Sequence, residues 1–466
     1  MSWFILWTDA LLYVLLGMLL LFVWRVMTYM PLRVQMAGVL SRPINLAAVY
    51  ILVVYLIVGA LDSIHFEIQD NALQSKYQQS IVSVLDRMIP SALTHHEETY
   101  SAPFATKSFS KENIVTESGQ VINDYAKLKF SGTHLSDTMT VREDIQRRTI
   151  HYSLQAFVFL AVLVVVISGM VARKYRISVE DFFAQVIMGR RKFPYRTFFA
   201  LLFVTIFLSI FIYNIIPLYH ILGTSKVGED VLYQSLKSVR TGLMIGTLTT
   251  LIMLPFATIL GIMAGYFRGW VDDIIQYTYT TLSSIPGVLL IAAAVLTLQV
   301  MMTQNESWFQ TMAERSDARL LALCAILGVT SWTGLCRLLR GEALKLREIE
   351  YVQAARSLGT RHTGIIFKHI LPNVMHLILI AVVLDFSGLV LAEAVLSYVG
   401  VGVDPTTYSW GTMINGARLE MARTPVVWWS LFSAFIFMFV LVLAANIFSD
   451  ALRDVFDPRT QTTGAS

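Results

Sequence analysis

Three groups of residues have types and spacings that bear on chemistry. The first reads Glu350-Tyr351-Val352-Gln353-Ala354-Ala355-Arg356-Ser357-Leu358-Gly359 and resumes as His369-Ile370-Leu371-Pro372-Asn373. It offers no catalytic set. Its chemistry is that of a docking surface: a helix, a break and a second helix. Ala354 and Ala355 are small enough for another backbone to come close. Gly359 suits a left-handed helix end, Thr360 is positioned to cap the helix that follows, and Pro372 is expected to stop it. The second group, His95-His96-Glu97-Glu98, has metal-ligand types, but adjacent side chains point apart, so a solvated loop is the expectation. The third is Asp385, deep in an apolar segment where a charge is costly and often functional; a partnered structural role is its simpler explanation. Glu393 lies near the end of the same segment and is expected to serve the helix end. The pattern Gly-x-x-x-x-Gly-Lys-Ser/Thr occurs nowhere, so no loop here is built to cradle ATP phosphates.

The elements that must carry these residues are membrane spans. The 466-residue chain is 55% hydrophobic and 15% charged, where soluble domains carry about 25% charge. Nine stretches are apolar enough to cross a bilayer, roughly 3–24, 44–62, 152–172, 198–218, 242–266, 277–301, 319–337, 374–396 and 426–448. Asp9 interrupts the first, which reads as a retained span rather than a cleaved leader. Lys and Arg cluster in 173–197 (Arg173, Lys174, Arg176, Arg190, Arg191, Lys192, Arg196) and in 337–372 (Arg337, Arg340, Lys345, Arg347, Arg356, Arg361, Lys368). Both loops and the C-terminal tail are therefore expected on the cytoplasmic side, and 63–150 outside. The two cysteines, Cys324 and Cys336, share one apolar region and cannot staple an outer domain.

The organisation expected is 1–62 as a transmembrane pair, 63–150 as a small mixed α/β extracytoplasmic domain and 151–172 as a third span. A cytoplasmic amphipathic segment follows at 173–197, then a six-span unit at 198–466. In the outer region Leu73, Tyr77, Ile81, Leu85 and Met88 recur at helical spacing before Pro90, Ala126, Leu128 and Phe130 alternate like a strand, and 95–120 reads as loop. Ile177, Val179, Phe182, Phe183, Val186 and Ile187 are spaced for an amphipathic helix at the membrane interface. Gly261 and Gly265 would let two spans pack closely. Pro286-Gly287 is a candidate kink in a span lining a path.

Together these residues resemble binding-protein-dependent ABC transporter permeases. The loop resembles their EAA motif: Gln353-Ala354-Ala355, Gly359 and Leu371-Pro372 fall at its spacing. Gly223-Thr224 through Asp230-Val231-Leu232 resembles the GTD-x-x-GRDVL loop of the dipeptide, oligopeptide and nickel branch. Ala264-Gly265-Tyr266 with Gly269-Trp270-Val271-Asp272 resembles AGYxGGWVD. Glu393 to Gly400, Ser409-Trp410-Gly411, and Asp450 to Asp454 with Asp457-Pro458-Arg459 resemble the EAxLSFLG, PSWG and DALRDxLDPR segments of the second, C-type permease. The resemblance runs from about 220 to 459. Gln353 stands where the family usually has Glu, Ser225 where it has Asp, and Glu229 where it has Arg.

The resemblance implies an all-α type I importer core that does no chemistry. A sister permease would complete the path, two cytosolic ATPases would bind ATP and Mg, and an extracytoplasmic protein would deliver substrate; nothing calls for nucleic acid. Loop 341–372 would couple to an ATPase through Glu350, Gln353, Ala354, Ala355, Gly359, Leu371 and Pro372, with Asp385 and Pro286 as path candidates. A bacterial inner membrane is the implied location. The resemblance is silent about the N-terminal extension, whose two spans and outer region would also suit a membrane sensor or an accessory contacting other subunits. A sensor would need a cytosolic output domain, and an ion-driven carrier would need inverted repeats or several intramembrane charges. Neither is evident in the sequence.

Overall fold

A computed structural model of the chain describes residues 2–68, 81–115, 121–135, 140–309 and 311–456. In chain order the helices are α1 (Trp7–Thr28), α2 (Met30–Val39), α3 (Pro43–Asp62), α4 (Val84–Met88), α5 (Pro90–Thr94), α6 (Val141–Tyr175), α7 (Val179–Ile187), α8 (Tyr195–Ile215), α9 (Val231–Phe267), α10 (Trp270–Ser284), α11 (Gly287–Gln304), α12 (Met312–Ser331), α13 (Thr333–Arg347), α14 (Glu350–Ser357), α15 (His362–Ile365), α16 (Leu371–Val399), α17 (Trp410–Glu420) and α18 (Trp429–Phe456). Among the described residues nine helical stretches are long and apolar enough to cross a membrane, so the chain is a helical polytopic membrane protein. Their outward faces carry Phe157, Val158, Val162 and Val165 on α6 and Leu20, Leu21 and Trp24 on α1, all exposed. Such surface is tolerable only where hydrocarbon replaces water. Asp9 does not break the first span: it lies in the first turn of α1, where a negative charge suits the unpaired N–H groups.

The chain divides into two compact units. One comprises 2–5, 37–240 and 408–440. Here β1 (Ser2–Phe4), β2 (His65–Glu67) and β3 (Ile81–Ser83) form an antiparallel sheet in that order, and β4 (Glu112–Val115) pairs with β5 (Val121–Asp124). Ile68, Val82, Leu85, Ile89, Ile216, Leu232 and Tyr233 make a shared core. Thus 63–150 contributes short strands and helices that pack within this larger unit. Ser83 opens α4 with a reciprocal cap through Asp86. The helical run expected from Leu73 is realised only at its end, where Leu85 and Met88 lie in α4. Leu73 and Tyr77 lie outside the described residues, and Ile81 is in a strand. The strand expected at Ala126–Phe130 reduces to a single bridge between Lys107 and Lys127, and the loop expected over 95–120 contains β4. Helix α7 is amphipathic, but it buries Phe182 and Val186 against Ala172 of α6 while Ile187 and Val179 remain exposed. Half of its apolar face is therefore used inside the chain.

His95–Glu98 is not a solvated loop. Glu97 is buried, and its carboxylate accepts from the backbone N–H of Lys129 (2.9 Å), Phe130 (3.0 Å) and Ser131 (3.3 Å). His95 stacks on Phe130, with ring centroids 4.4 Å apart. No group of three His, Cys, Asp or Glu suited to a metal occurs among the described residues. Instead Glu97 faces the buried His220. Nδ1 of His220 lies 2.9 Å from Asp230 Oδ2, and Nε2 lies 3.5 Å from Glu97 Oε1, an ionic contact too long for a strong hydrogen bond.

The other unit comprises residues 6–36, 241–407 and 441 onward. Leu12 of α1 enters a core with Met244, Leu248, Leu320, Leu323, Cys324 and Leu396. Thr8 bonds Asp317 through both its backbone N–H and its hydroxyl. The span expected at 277–301 is broken: α10 ends at Ser284, and Pro286 is the N-cap of α11. Pro286 thus separates two helices rather than kinking one, because its ring and missing N–H are harmless before a first turn.

Burial alone would depress the His220 imidazole, but Asp230 and Glu97 raise it to about 9, while His220 and the backbone donors at Phe130 and Lys129, against the opposing effect of burial, hold Glu97 down at about 2. A histidine with a raised pKa stabilises the fold fully below its ordinary value of 6.5 and ceases to do so as pH rises through about 9. A shift of that size corresponds to roughly 3 kcal/mol. Thermal unfolding of the detergent-purified chain should therefore move to lower temperature between these pH values, and His220→Gln should flatten that slope.

Candidate functional site

The Gln353–Gly359 segment is built as a helix that stops abruptly. Helix α14 begins at Glu350 and ends at a left-handed glycine. Gly359 has φ +77°, its N–H donates to Arg356 O, and the N–H of Thr360 donates to Ala355 O. This is the helix end that Gly permits at least cost. The next helix is not capped by Thr360: Arg361 is the N-cap of α15, without a side-chain bond. Nor does Pro372 stop it. Between Ile366 and Ile370 the chain makes a π turn and continues directly into α16, with Pro372 in the first turn. The wider turn removes the carbonyl that the proline ring would otherwise strike, so the helix passes through the proline.

The bracket stands on a buried footing. Val352, Ile365, Ile370 and Val374 join Leu346, Ala343, Leu339 and Cys336 of α13 and Ala264 and Tyr266 of α9 in one core. The close approach rests on two glycines. A Cβ on Gly261 would lie 2.8 Å from Cys336 O, and one on Gly265 would lie 2.6 Å from both Ala343 Cβ and Arg340 O. Helices α9 and α13 therefore meet backbone to backbone, as the Gly261/Gly265 spacing foretold. Arg340 then reaches Asp272 of α10 with a two-pronged bond, Nε–Oδ1 2.6 Å and Nη2–Oδ2 2.8 Å. That guanidinium holds the Asp272 carboxyl below the usual range. Arg347 Nη1 donates to Tyr266 O (2.8 Å), Tyr266 Oη lies 2.8 Å from His362 Nδ1, and Arg268 pairs with Glu348. The Ala264–Asp272 segment and the bracket are thus one assembly, a connection the sequence did not disclose.

The side turned to solvent is ready for contact. Glu350, Gln353, Ala354 and Arg356 are exposed, Ala355 is half-buried, and Leu358 is 86% exposed beside exposed Tyr351 and Phe367. Gln353 Nε2 donates to Glu348 O (3.1 Å), a bond that a glutamate could not make. Leu371 is half-buried against the same core. Asp385, on α16, has no hydrogen-bond or ion-pair partner among the described residues, and Pro286 is exposed. Neither is brought to the bracket. Glu393 is buried and accepts from Ser397 Oγ (2.6 Å) one turn before the left-handed Gly400 that ends α16, as expected of a helix-end residue.

Residues 257–462 match the family model described as the binding-protein-dependent transport system inner membrane component. The chain is 32% identical over 243 residues to the oligopeptide transport system permease protein OppC of Mycobacterium tuberculosis, which covers 52% of this chain and 77% of that one. It is also 32% identical over 243 residues to the glutathione transport system permease protein GsiD of Pectobacterium atrosepticum (52% and 74%). Over 240 residues it is 30% identical to the dipeptide transport system permease protein DppC of Bacillus subtilis (52% and 69%).

The two kinds of glycine should respond differently to a side chain. Gly265→Val drives a branched side chain into Arg340 O and Ala343 and should cost about 3 kcal/mol or more. Gly359→Val meets nothing within 4 Å and should cost only the roughly 1–2 kcal/mol of a left-handed L-residue. Thermal shift in detergent reads the difference.

Proposed function

This chain belongs to the binding-protein-dependent permease family, as a C-type peptide permease of an ABC transporter, and from that premise we propose that loop 341–372 is its coupling device to a cytosolic ATPase. The observation that carries this reading is the exposed tip of α14, with Leu358 86% exposed, rising from a base locked by Val352, Ile365 and the Arg340–Asp272 pair. An exposed leucine on a rigid mount is poorly explained by stability and well explained by a groove on a partner.

In this reading the Lys and Arg clusters hold the loop and the C-terminus in the cytoplasm of a bacterial cell. A sister permease completes the path. Two ATPases carry ATP and Mg, and a substrate-binding protein approaches from outside. Closure of the ATPase pair pushes on α14, and the continuous helix 362–399 passes the motion into the bilayer, switching the permease between inward and outward states. The residues that do this are Glu350, Gln353, Ala354, Ala355 and Gly359 at the contact and Leu371 and Pro372 at the junction. Gln353 lacks the charge usual at its position but keeps a hydrogen-bonding head, so docking is retained. Relatives named for oligopeptides, dipeptides and glutathione support a small peptide as cargo. Asp385, unpaired in the apolar span, is the group suited to a peptide's ammonium terminus in the path.

Gly359→Trp should abolish transport in membrane vesicles while the chain stays in the membrane at its normal level. Leu358→Asp should reduce ATPase co-purification by roughly tenfold or more, the scale of losing one interface anchor. Normal transport and normal co-purification in both variants would rule out the coupling role.

A further inference from the structure

The family resemblance begins near residue 220, yet that border is not a border in the structure. Within the unit made of 2–5, 37–240 and 408–440, the loop that opens the core is covered by the extension. Phe104 N–H donates to His220 O (2.9 Å), Thr224 N–H to Ser101 O (3.1 Å), Glu97 N–H to Gly228 O (3.1 Å) and Gly132 N–H to Leu218 O (2.9 Å). Thr224 Oγ1 accepts from Ser101 N–H (2.6 Å) and donates to Thr99 O (2.8 Å). Gly223 and Gly228 have positive φ, and a Cβ on them would sit 2.4 Å from Ser101 O and 1.8 Å from Glu97 O. Both glycines are therefore required by the cover as much as by the turn. Of residues 223–230 only Lys226 and Val227 are exposed.

Two buried charge clusters close the seam, and in each the cation comes from the core side. His220 faces Glu97 of the extension and Asp230 of its own loop. Lys237, near the start of α9, puts Nζ 2.8 Å from Asp62 Oδ1 of α3 and 2.9 Å from Asp86 Oδ1 of α4. Asp62 also accepts from Ser83 Oγ (2.8 Å), and Asp86 from Tyr233 Oη (2.8 Å). The two sides complete each other's charges: without the extension Lys237 would lose both of its carboxylates and His220 would keep only Asp230, and without the core Asp62, Asp86 and Glu97 would lose their cations.

We propose that the described residues of 62–132 form a permanent brace on the start of α9, and that brace and residues 218–240 move as one body through the transport cycle. The proposal rests on the permease reading for the existence of that cycle and for the outer location of the brace. Of the loop 223–230 the brace leaves only Lys226 and Val227 open to an extracytoplasmic partner.

The test uses the full chain carrying Ser101→Cys and Thr224→Cys, whose parent side-chain oxygens lie 3.1 Å apart, close enough for a disulfide. The chain is reconstituted with its sister permease and ATPases in proteoliposomes, with MgATP as the probe. The disulfide should form, and ATP hydrolysis should be the same oxidised and reduced. A disulfide that fails to form, or one that stops hydrolysis until it is reduced, overturns the brace. A wild-type complex that neither assembles nor hydrolyses ATP instead overturns the permease reading. Lys237→Met gives an independent arm that needs no transport. It should lower the yield of folded, detergent-extracted chain by about tenfold or more, because two carboxylates lose their counter-ion. Adding Asp62→Asn and Asp86→Asn should restore most of it. An undiminished yield from Lys237→Met alone refutes the clamp.

Discussion

The bracket at 341–372 depends on the approach of α9 to α13 at Gly261 and Gly265. Where no side chain intervenes, the carbonyls of Cys336 and Arg340 lie against the neighbouring helix. Helix association in a bilayer lacks the hydrophobic drive available in water, so it relies on such packing and on polar bonds between helices. The glycines supply the first and the Arg340–Asp272 fork the second. The rest of the bracket's footing sits with it: Ala343, Leu346 and Val352 share one core, Arg347 reaches the carbonyl of Tyr266, and Tyr266 reaches His362. A loop fixed at this many points is stiff, which the proposed coupling role requires.

The sequence was most legible where one residue has one physical reason. Nine apolar stretches became nine candidate spans, Gly359 is the left-handed stop that its position implied, and Gly261 and Gly265 are a close contact. It was misleading where the reason lies in the partner. Thr360 looks like a cap, but the cap falls one residue later. Pro372 looks like a terminator, but a wide turn before it lets the helix continue. Glu97 looked solvated because two histidines and a second glutamate surround it in sequence, whereas in space it accepts three backbone N–H groups from 129–131. Helical spacing through Ile81 was outweighed by strand pairing with β2. The His220 and Lys237 clusters were out of reach, since their carboxylates lie 123 and 151 residues away in sequence for Glu97 and Asp86. The visible trace was a lysine in the polar first turns of a long, mostly apolar helix.

Charges within this chain follow two regimes. Lys237, Asp62, Asp86, His220 and Glu97 form closed groups in which each charge meets its opposite, which limits the penalty of burial. Among the described residues Asp385 on α16 has no partner, while its neighbour Ser387 bonds Asn446 (2.8 Å). The contrast separates charges balanced within the described residues from one that is not.

The π turn at Ile366–Ile370 has a geometric consequence for the lever it interrupts. Five residues there span what four would in a regular helix, so the faces of 362–365 and of α16 are out of phase by one residue, about 100°. Apolar residues on either side of the turn need not fall on one stripe. Ile365 and Ile370 can both face the core, five positions apart, while the span beyond keeps its own facing. The pitch of that single turn therefore sets how the bracket faces relative to the span: shortening it by one residue would rotate one against the other without altering any residue at either end.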